Sequence, residues 1–372
     1  MKRISILVST IDSGGAEKQA VLLATHLSKR TDVNLIVLYG DYPEYKYNVD
    51  LLAESNVKVH KLFGNMLSKM GHIRNILKET KTDVLLNYLT MPDFVGSFVG
   101  RMCGIRVYNG IRNSRLPKGK MLMEKLAHNL WATGTIYNCY SGADYFGNLG
   151  FHKSKNIVIP NCFPNIAEPI ARQEHKVKNI ITVGRFDPQK DYETLIAGVA
   201  LLERNDFRLS IVGYGSLEGQ IRNWVKEYGI EKKSDIYIKP NNVFELEQNA
   251  DIYLSTSLFE GTSNSIMEAL NWSLPVVATN VGDNDHLVID GENGFLHPIG
   301  DVNGIAASLC RLLDSSDLHP IGDVTGLTTS LCKLLDSVEL RNQMGVRSNQ
   351  NLRENYSMEI FEKRYLDLIE GK

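Results

Sequence analysis

Hydrophobic and polar positions along the chain follow two alternating patterns. Short runs rich in β-branched residues predict strands, and longer segments with helical spacing separate them, as at residues 16–29. The predicted strands are RISILVS, VNLIVLYG, TDVLLNYL, RVYNGI, YNCYS (137–141) and NIVIP, then NIITVG, FRLSIVG, DIYIK, DIYLSTS and PVVAT. Strands that alternate with helices predict parallel sheets covered on both faces, with ligands bound beyond the carboxyl ends of the strands.

The alternation stops at residues 160–176, which contain three prolines and show no periodicity, so we expect a linker there. A chain of 372 residues is long enough for two domains. The predicted fold is therefore α/β, with two doubly wound Rossmann-like domains facing a cleft.

A tandem repeat interrupts this plan. Residues 297–318 and 319–340 are identical at 15 of 22 positions, and each copy predicts a turn followed by one amphipathic helix. Two copies are too few for a solenoid, which needs at least about three repeats. We interpret the second copy as a surplus helix at the edge of the second domain.

The composition, 43% hydrophobic and 23% charged, is typical of a soluble globular protein. No apolar run approaches the ~20 residues of a membrane-spanning helix, so we expect a cytoplasmic protein. Five scattered cysteines without a Cys-x-x-Cys pair argue against a disulfide framework or a zinc site. The formal charge is +9 over residues 1–165 and −11 over the remainder, which favours an anionic partner for the first half.

Three glycine-containing or basic loops are candidate anion sites. Gly14 and Gly15 lie between the first strand and a helix, where bare N–H groups favour an anion, although a tight turn explains them equally well. Arg185 and Lys190 follow a strand end, where two cations suit a diphosphate; solvated surface charges are the alternative. Gly213, at the next strand end, would let a ligand approach the backbone.

The segment EGTSNSIME places Glu260 at a strand end and Glu268 inside the following helix. Small residues would leave the N–H groups of that helix start open to a phosphate, and Glu268 would accept the two hydroxyls of a ribose. The alternative is a capping box in which Ser265 caps the helix and Glu268 reaches back. The small residues between the glutamates are Gly261, Thr262, Ser263, Asn264 and Ser265.

This segment, with SGGAEK, VGRFDPQKD, IVGYG, NADIYLSTS, LPVVATNVG and DGENGFL, resembles the retaining glycosyltransferases of family 4, which have the GT-B fold. The resemblance covers nearly the whole chain, and Glu-x7-Glu is its most specific element. It implies transfer of a hexose-type sugar from a nucleotide diphosphate sugar, most often a UDP-sugar, without a cofactor or metal. It also implies an acceptor-binding domain over 1–165, completed by a last helix at about 358–372, and a nucleotide-sugar-binding domain over 166–357.

The resemblance implies roles for individual residues. Glu260 would face the sugar at the reacting centre, while Arg185 and Lys190 neutralise the diphosphate leaving group. The base would lie near residues 239–242. The residues that would bind the donor are Gly14, Gly15, Gly213, Gly261, Thr262, Ser263, Asn264, Ser265 and Glu268.

The chain departs from the family at two positions. Arg112 and Asn113 occupy a region where members often carry a histidine, and His286 stands where they often carry a glutamate. We place Arg112, Asn113 and Arg115 on the acceptor side. Residues 283–285 match the Asp-x-Asp metal motif of the other glycosyltransferase fold, which we interpret as coincidence.

The segment 112–131 mixes basic and apolar residues at helical spacing, so it is suited to lie on an anionic membrane surface. It would recruit a lipid-linked, diphosphate-bearing glycan acceptor at the inner face of the plasma membrane; an ordinary core-facing helix is the alternative. The expected function is a step of cell-surface polysaccharide biosynthesis, without nucleic acid. The alternatives are a non-catalytic nucleotide-sugar-binding partner in a glycan assembly complex and a GT-B nucleotide-sugar epimerase, while the absent third glycine disfavours a dehydrogenase.

Overall fold

The computed structural model describes residues 2–112, 116–202, 204–313 and 338–372. Contacts divide the chain into two compact units. Unit 1 consists of Met1–Cys162 and Met358–Lys372, and unit 2 consists of Phe163–Ser357.

Unit 1 contains a seven-stranded parallel sheet in the order β3-β2-β1-β4-β5-β6-β7. The strands are β1 Ile4–Val8, β2 Val33–Val37, β3 Lys58–Lys61, β4 Val84–Asn87, β5 Arg106–Ile111, β6 Gly134–Tyr137 and β7 Asn156–Val158. The helices are α1 Gly15–Leu27, α2 Lys46–Ala53, α3 Met66–Glu79, α4 Thr90–Met102, α5 Lys118–Leu126, α6 Tyr140–Asn148 and, at the end of the chain, α14 Met358–Glu370.

The central strands of unit 1 are buried and mainly apolar because helices cover both faces of the sheet. Every residue of β1, β2 and β4 is buried, as expected for parallel strands. In α14, Phe361, Tyr365 and Ile369 recur at helical spacing and pack into the same core as β1. The predicted strand over 137–141 is wrong, since β6 ends at Tyr137 and α6 begins at Tyr140.

Unit 2 contains a six-stranded parallel sheet in the order β10-β9-β8-β11-β12-β13. Its strands are β8 Lys178–Arg185, β9 Phe207–Tyr214, β10 Ser234–Ile238, β11 Ile252–Ser255, β12 Val276–Thr279 and β13 Gly294–His297. Its helices are α7 Tyr192–Ala200, α8 Glu218–Glu227, α9 Val243–Gln248, α10 Asn264–Asn271, α11 Asn284–Leu287, α12 Val302–Leu313 and α13 Val338–Tyr356. Both units therefore confirm the predicted α/β class.

The predicted linker is anchored to unit 2 over part of its length. The Ala167 N–H donates to Asn271 Oδ1 at 2.7 Å, and the buried Arg172 guanidinium donates to the carbonyls of Ala250, Trp272 and Ser273. This segment lacks periodicity because its backbone and side chains bond to α10 and its neighbours instead of to one another.

The tandem repeat is described only in part. In its first copy, α12 spans Val302–Leu313 and buries Ile305, Leu309 and Leu312 in the core of unit 2. Most of the second copy, residues 319–337, lies outside the described residues, so the surplus helix remains a prediction.

Candidate functional site

The strand order of unit 2 defines a topological switch point. Strands β8 and β11 are neighbours, but β8 connects towards β9 while β11 connects towards β12 on the opposite side. In doubly wound sheets, ligands bind at the carboxyl ends of such a strand pair. The loops that follow β8 and β11 carry Lys190 and Glu260, so two of the three predicted catalytic residues come from the two sides of this switch point.

Lys190 and Glu260 are in direct contact. Lys190 Nζ lies 2.6 Å from Glu260 Oε1, and their side chains are 17% and 11% exposed. The Ser257 hydroxyl donates to the same carboxylate oxygen at 2.8 Å. A charge-assisted pair of this kind, only partly open to water, is stronger than a pair on the open surface. The contact places a cation and a carboxylate together in a site that a substrate could share.

Backbone contacts fix the loop that carries Lys190. Asp191 adopts a left-handed conformation (φ 47°) and caps α7, its side chain accepting from the Thr194 N–H. The Thr256 hydroxyl contacts the carbonyl oxygens of Lys190 and Asp191 at 3.0 and 2.8 Å. The side-chain amide of Gln189 donates to the Phe259 carbonyl at 2.7 Å. The loops after β8 and β11 are thus bonded to each other on both sides of the Lys190–Glu260 pair.

A third loop, which follows β12, packs against the backbone of Glu260. Gly282 follows β12 with φ 61°, and a Cβ at this position would lie 2.4 Å from the Glu260 carbonyl oxygen. The next N–H, from Asp283, donates to the Gly261 carbonyl at 3.3 Å. Only glycine combines this backbone conformation with such a close approach. The absence of a side chain at Gly282 therefore allows the loop that carries Glu260 to pack against this backbone.

The helix start after Glu260 is capped by Ser263. Its hydroxyl accepts from the Ile266 N–H at 3.4 Å and lies 3.2 Å from Ser265 Oγ. The alternative with Ser265 as the cap is wrong, because α10 begins one residue earlier, at Asn264. Glu268 is then the fifth residue of the helix and is half-buried.

The other predicted donor residues of unit 2 are less enclosed or are required by packing. Arg185 is 68% exposed, with Nη2 3.3 Å from Asp187 Oδ2. A Cβ at Gly213 would lie 1.9 Å from the Gly184 carbonyl oxygen and 2.7 Å from the Phe186 ring. Packing alone therefore requires glycine at position 213. In the predicted base region, Lys239 Nζ lies 4.5 Å from the centroid of the Tyr214 ring.

In unit 1, the carboxylate of Glu17 covers the predicted anion-binding turn. Gly14 precedes α1 without a side-chain cap, and a Cβ on Gly14 would meet Glu17 Oε2 at 2.2 Å. Burial raises the pKa of Glu17, against a lowering hydrogen bond from its own backbone N–H. The helix start thus already holds an anionic group, which an incoming phosphate would have to displace, while Gly15 stays exposed.

Arg112 belongs to an aromatic cluster of unit 1. Its guanidinium lies 4.7 Å above the Tyr88 ring and donates to the Tyr365 hydroxyl at 2.7 Å. Tyr365 lies on α14, and its hydroxyl is 3.1 Å from that of Tyr88. Arg112 thereby ties the last helix to the sheet edge. Asn113 and Arg115, also assigned to the acceptor side, lie outside the described residues.

The basic segment presents two different faces. Met121 packs against the core of unit 1 and the Trp131 ring packs edge-on against Phe94, as a core-facing helix would. The opposite face exposes Leu122 and Leu130 to about the same extent, 60% and 59%, and it also exposes Leu126, Lys118 and Lys120. Among the described residues, no helix is long and apolar enough to cross a membrane.

No metal-binding cluster is found in the part of the chain that the structure describes, judged by groups of three or more His, Cys, Asp or Glu side chains. In the Asp-x-Asp match, Asp283 is buried and Asp285 is exposed. The two carboxylates thus do not share one environment.

Sequence analysis missed the residues that hold Glu260 in place. Ser257, Gln189 and Gly282 each contact the Glu260 loop directly. Ser257 and Gly282 lie in the motifs STS and NVG at strand ends, which is a detectable signal for a site loop. Nothing in the sequence marks Gln189, because its partner is a backbone carbonyl 70 positions away.

Comparison with known proteins finds glycosyltransferases that are similar to most of the chain. Residues 166–320, which contain both glutamates, match the family model described as Glycosyl transferases group 1. A Campylobacter jejuni protein, N-acetylgalactosamine-N,N'-diacetylbacillosaminyl-diphospho-undecaprenol 4-alpha-N-acetylgalactosaminyltransferase, is 25% identical over 340 residues, covering 84% of this chain and 91% of its own. The amylovoran biosynthesis glycosyltransferase AmsD of Erwinia amylovora is 24% identical over 297 residues, covering 75% and 81%.

The fold has close structural neighbours. The crystal structure of Anabaena HepE in complex with UDP superposes with a TM-score of 0.75 over 100% of both chains, at 16% identity. The two Rossmann-like units and this neighbour confirm the predicted GT-B fold. Together with the family model and the relatives, they support a glycosyltransferase.

Proposed function

We propose that the chain is a retaining, metal-independent glycosyltransferase that moves a hexose-type sugar from a nucleotide diphosphate sugar, first of all a UDP-sugar, to a glycan acceptor. The observation that carries the proposal is the Lys190–Glu260 pair at the switch point of unit 2. A site for sugar transfer needs a cation for the departing phosphate and an acceptor group for sugar hydroxyls, and this pair supplies both.

In the proposed reaction, the bond from the anomeric carbon to the phosphate oxygen breaks as the acceptor oxygen bonds to that carbon. The acceptor proton passes to the departing diphosphate. Lys190, with the exposed Arg185 as a second cation, neutralises the charge that develops there. Glu260 orients the sugar through its hydroxyls, and Ser257 holds one oxygen of that carboxylate in place.

The rest of the donor would extend along α10 and α9. The N–H groups of Thr262, Ser263 and Asn264 at the start of α10 favour a phosphate. Glu268, one helical turn further on, accepts the ribose hydroxyls, and the base lies near residues 239–242. The Gly14–Gly15 turn is a second anion-binding helix start, available when Glu17 moves aside.

The acceptor is proposed to be a lipid-linked glycan in cell-surface polysaccharide biosynthesis, reached from the inner face of the plasma membrane. The exposed Leu122, Leu126 and Leu130 beside Lys118 and Lys120 support this, since apolar and cationic groups on one face suit an anionic bilayer. The Campylobacter jejuni relative is named for an acceptor linked to diphospho-undecaprenol. Arg112 is proposed to act on this side through Tyr88 and Tyr365.

Turnover tests the proposal. Purified protein would be incubated with UDP-, GDP- and ADP-sugars, with and without EDTA, and a diphospho-lipid glycan acceptor, and release of the nucleotide diphosphate would be measured. We expect EDTA-insensitive turnover with one donor and retention of the anomeric configuration in the product. Nucleotide binding without turnover would contradict the proposal in favour of a non-catalytic partner.

A further inference from the structure

A second glutamate beside Glu268 has no role in the proposed reaction. Glu247, on α9, is completely buried, with 0% of its surface exposed. Neither of its carboxyl oxygens has a hydrogen-bond partner of standard geometry among the described residues, and the same is true of the Trp272 indole N–H. Because buried polar atoms are nearly always paired, such a carboxyl group needs an explanation.

Helix α9 packs directly against α10, the helix that carries Glu268. The Phe244 and Trp272 rings approach to 6.4 Å between centroids, and Leu246 lies against the core that contains Ile266 and Met267. Glu247 is thus buried in the core on which α10, the helix of Glu268, packs.

The groups that face Glu247 disfavour its charged form. Burial and, second, the negative charge of Glu268 raise the pKa of Glu247 to about 8, against a lowering hydrogen bond from the Trp272 indole N–H, whose geometry is not standard. From β11, the Tyr253 hydroxyl donates to the Val183 carbonyl at 3.1 Å, and its pKa is raised well above 10, mainly by burial. Two neighbouring carboxyl groups, one of them desolvated, do not both ionise, and the buried one stays neutral.

We propose that Glu247 is a positioning residue for Glu268: as a neutral acid in the core, it keeps Glu268 as the single charged carboxylate facing the ribose of a nucleotide. The inference rests on the ribose-binding role proposed for Glu268. Nucleotide affinity then depends on the protonation of a residue that does not touch the nucleotide. Ionisation of Glu247 would place two like charges side by side and push Glu268 out of position.

UDP binding measured by calorimetry against pH tests this inference, with the wild type beside Glu247→Gln. Gln keeps the size of the neutral acid but does not titrate. We expect wild-type affinity to fall about threefold or more between about pH 7 and about pH 9, and the Gln variant to lose that fall. The exposed Glu245 on the same helix provides the matched control, and Glu245→Gln should reproduce the wild-type curve. The phosphates of UDP also titrate, but their contribution is the same for every variant and cancels when the pH curves are compared.

Two further variants separate positioning from a purely structural role. In a Glu268→Ala background, Glu247→Gln should leave UDP affinity and its pH dependence unchanged, since the residue that it positions is gone. Glu247→Met, neutral and of similar size, replaces the Gln variant should that variant not fold, and it should also give a flat curve.

Identical pH curves for the wild type and Glu247→Gln, or an equal effect of Glu247→Gln with and without Glu268, would overturn the inference. Absence of UDP binding to folded wild-type protein at every pH would overturn the UDP-site proposal and the inference with it. Thermal unfolding without nucleotide distinguishes the two failures. A pH dependence of stability that Glu247→Gln removes shows a neutral Glu247 even where UDP does not bind.

Discussion

Lys190 Nζ lies 2.6 Å from Glu260 Oε1, and the two residues come from loops on opposite sides of the β8–β11 switch point. The site is partly buried, and each charge of the pair compensates the other there. Both side chains remain accessible to a substrate. Donor binding would then exchange one partner for another, Lys190 towards phosphate and Glu260 towards sugar hydroxyls.

Removal of either member of the pair should impair transfer far more than it impairs folding. Lys190→Ala and Glu260→Gln should each lower kcat about 100- to 1000-fold, as loss of one stabilising group at a reacting centre does. The double variant should be little worse than either single one. Steady-state kinetics with the donor found in the turnover screen measures this.

Arg208→Ala is the matched control, since Arg208 and Asp235 form an exposed ion pair of the same 2.6 Å length in unit 2. It should leave kcat within about twofold of the wild type, because exposed ion pairs contribute little. An Arg208→Ala effect comparable to that of Lys190→Ala would show that the loss is not specific to the site.

Gly282 should be intolerant of any side chain. A Cβ there would meet the Glu260 carbonyl at 2.4 Å, whereas a Cβ at Gly291, with a similar φ of 78°, would meet no described residue within 4 Å apart from its chain neighbours. Both Ala variants carry backbone strain of about 1 kcal/mol, but Gly282→Ala should destabilise by at least ~1 kcal/mol more and reduce activity. Urea denaturation and kinetics of the two variants compare them, and equal behaviour would contradict the role given to Gly282.

The cap assignment at α10 predicts unequal effects for two nearby serines. Ser263→Ala should cost about 1 kcal/mol of stability, because it removes the acceptor for the Ile266 N–H, while Ser265→Ala should cost less. Denaturant midpoints of the two variants measure the difference. A larger loss for Ser265→Ala would restore the capping box with Glu268.

A buried carboxyl pair in unit 1 should make stability depend on pH. Asp93 and Glu124 are 0% and 1% exposed, and Asp93 Oδ1 accepts from the Gly110 N–H at 2.9 Å. Burial raises the pKa of Glu124 to about 7. Burial and then the Glu124 charge raise the pKa of Asp93 well above its usual range.

Because these folded-state pKa values are raised, the folded protein binds more protons than the unfolded chain above about pH 4.5, so stability falls as pH rises towards about 7. The loss assigned to Glu124 is at most ~3.5 kcal/mol, at about 1.4 kcal/mol per pKa unit between 4.5 and about 7. Glu124→Gln should remove that part, and the exposed Glu79→Gln should not. Urea denaturation at several pH values decides, and parallel curves for the wild type and Glu124→Gln would contradict the prediction.

Much of the fold is predictable from the sequence because most strands of the two parallel sheets are rich in apolar, often β-branched residues. Strand β3, Lys58–Lys61, has an exposed, polar sequence and gives no such signal. The false strand over 137–141 arose because Tyr137, Cys139 and Tyr140 continue a strand-like composition from the end of β6 into α6. In so short a segment, periodicity does not separate strand from helix.

Site residues are predictable from the sequence where a local motif marks them. Contacts between residues that are distant in the sequence are not predictable in this way. Lys190 and Glu260 each stand at a strand end, which the sequence reveals, but their contact depends on β8 and β11 being neighbours. Glu17 over the Gly14 turn and the burial of Glu247 in a short charged helix follow from packing, which outweighs the local polarity of those segments.

If the protein binds membranes, the exposed leucines of the basic segment should form the contact. The double variant Leu122→Glu and Leu126→Glu should no longer pellet with anionic vesicles at low salt. It replaces exposed apolar side chains with negative charges, which the anionic lipid repels. Leu67→Glu, at an 81% exposed leucine on α3, is the control and should still pellet. No pelleting of the wild type would remove the membrane hypothesis.

Nucleotide binding by unit 2 is the central claim, and thermal unfolding with UDP, GDP, ADP and CMP tests it most directly. We predict that one of these nucleotides stabilises the wild type by about 2.7 kcal/mol at ~100 times its dissociation constant. Glu268→Ala should lose most of that stabilisation, because the ribose hydroxyls lose their acceptor while the phosphate contacts remain. Failure of every nucleotide to stabilise the wild type, or an undiminished effect in Glu268→Ala, would contradict the account.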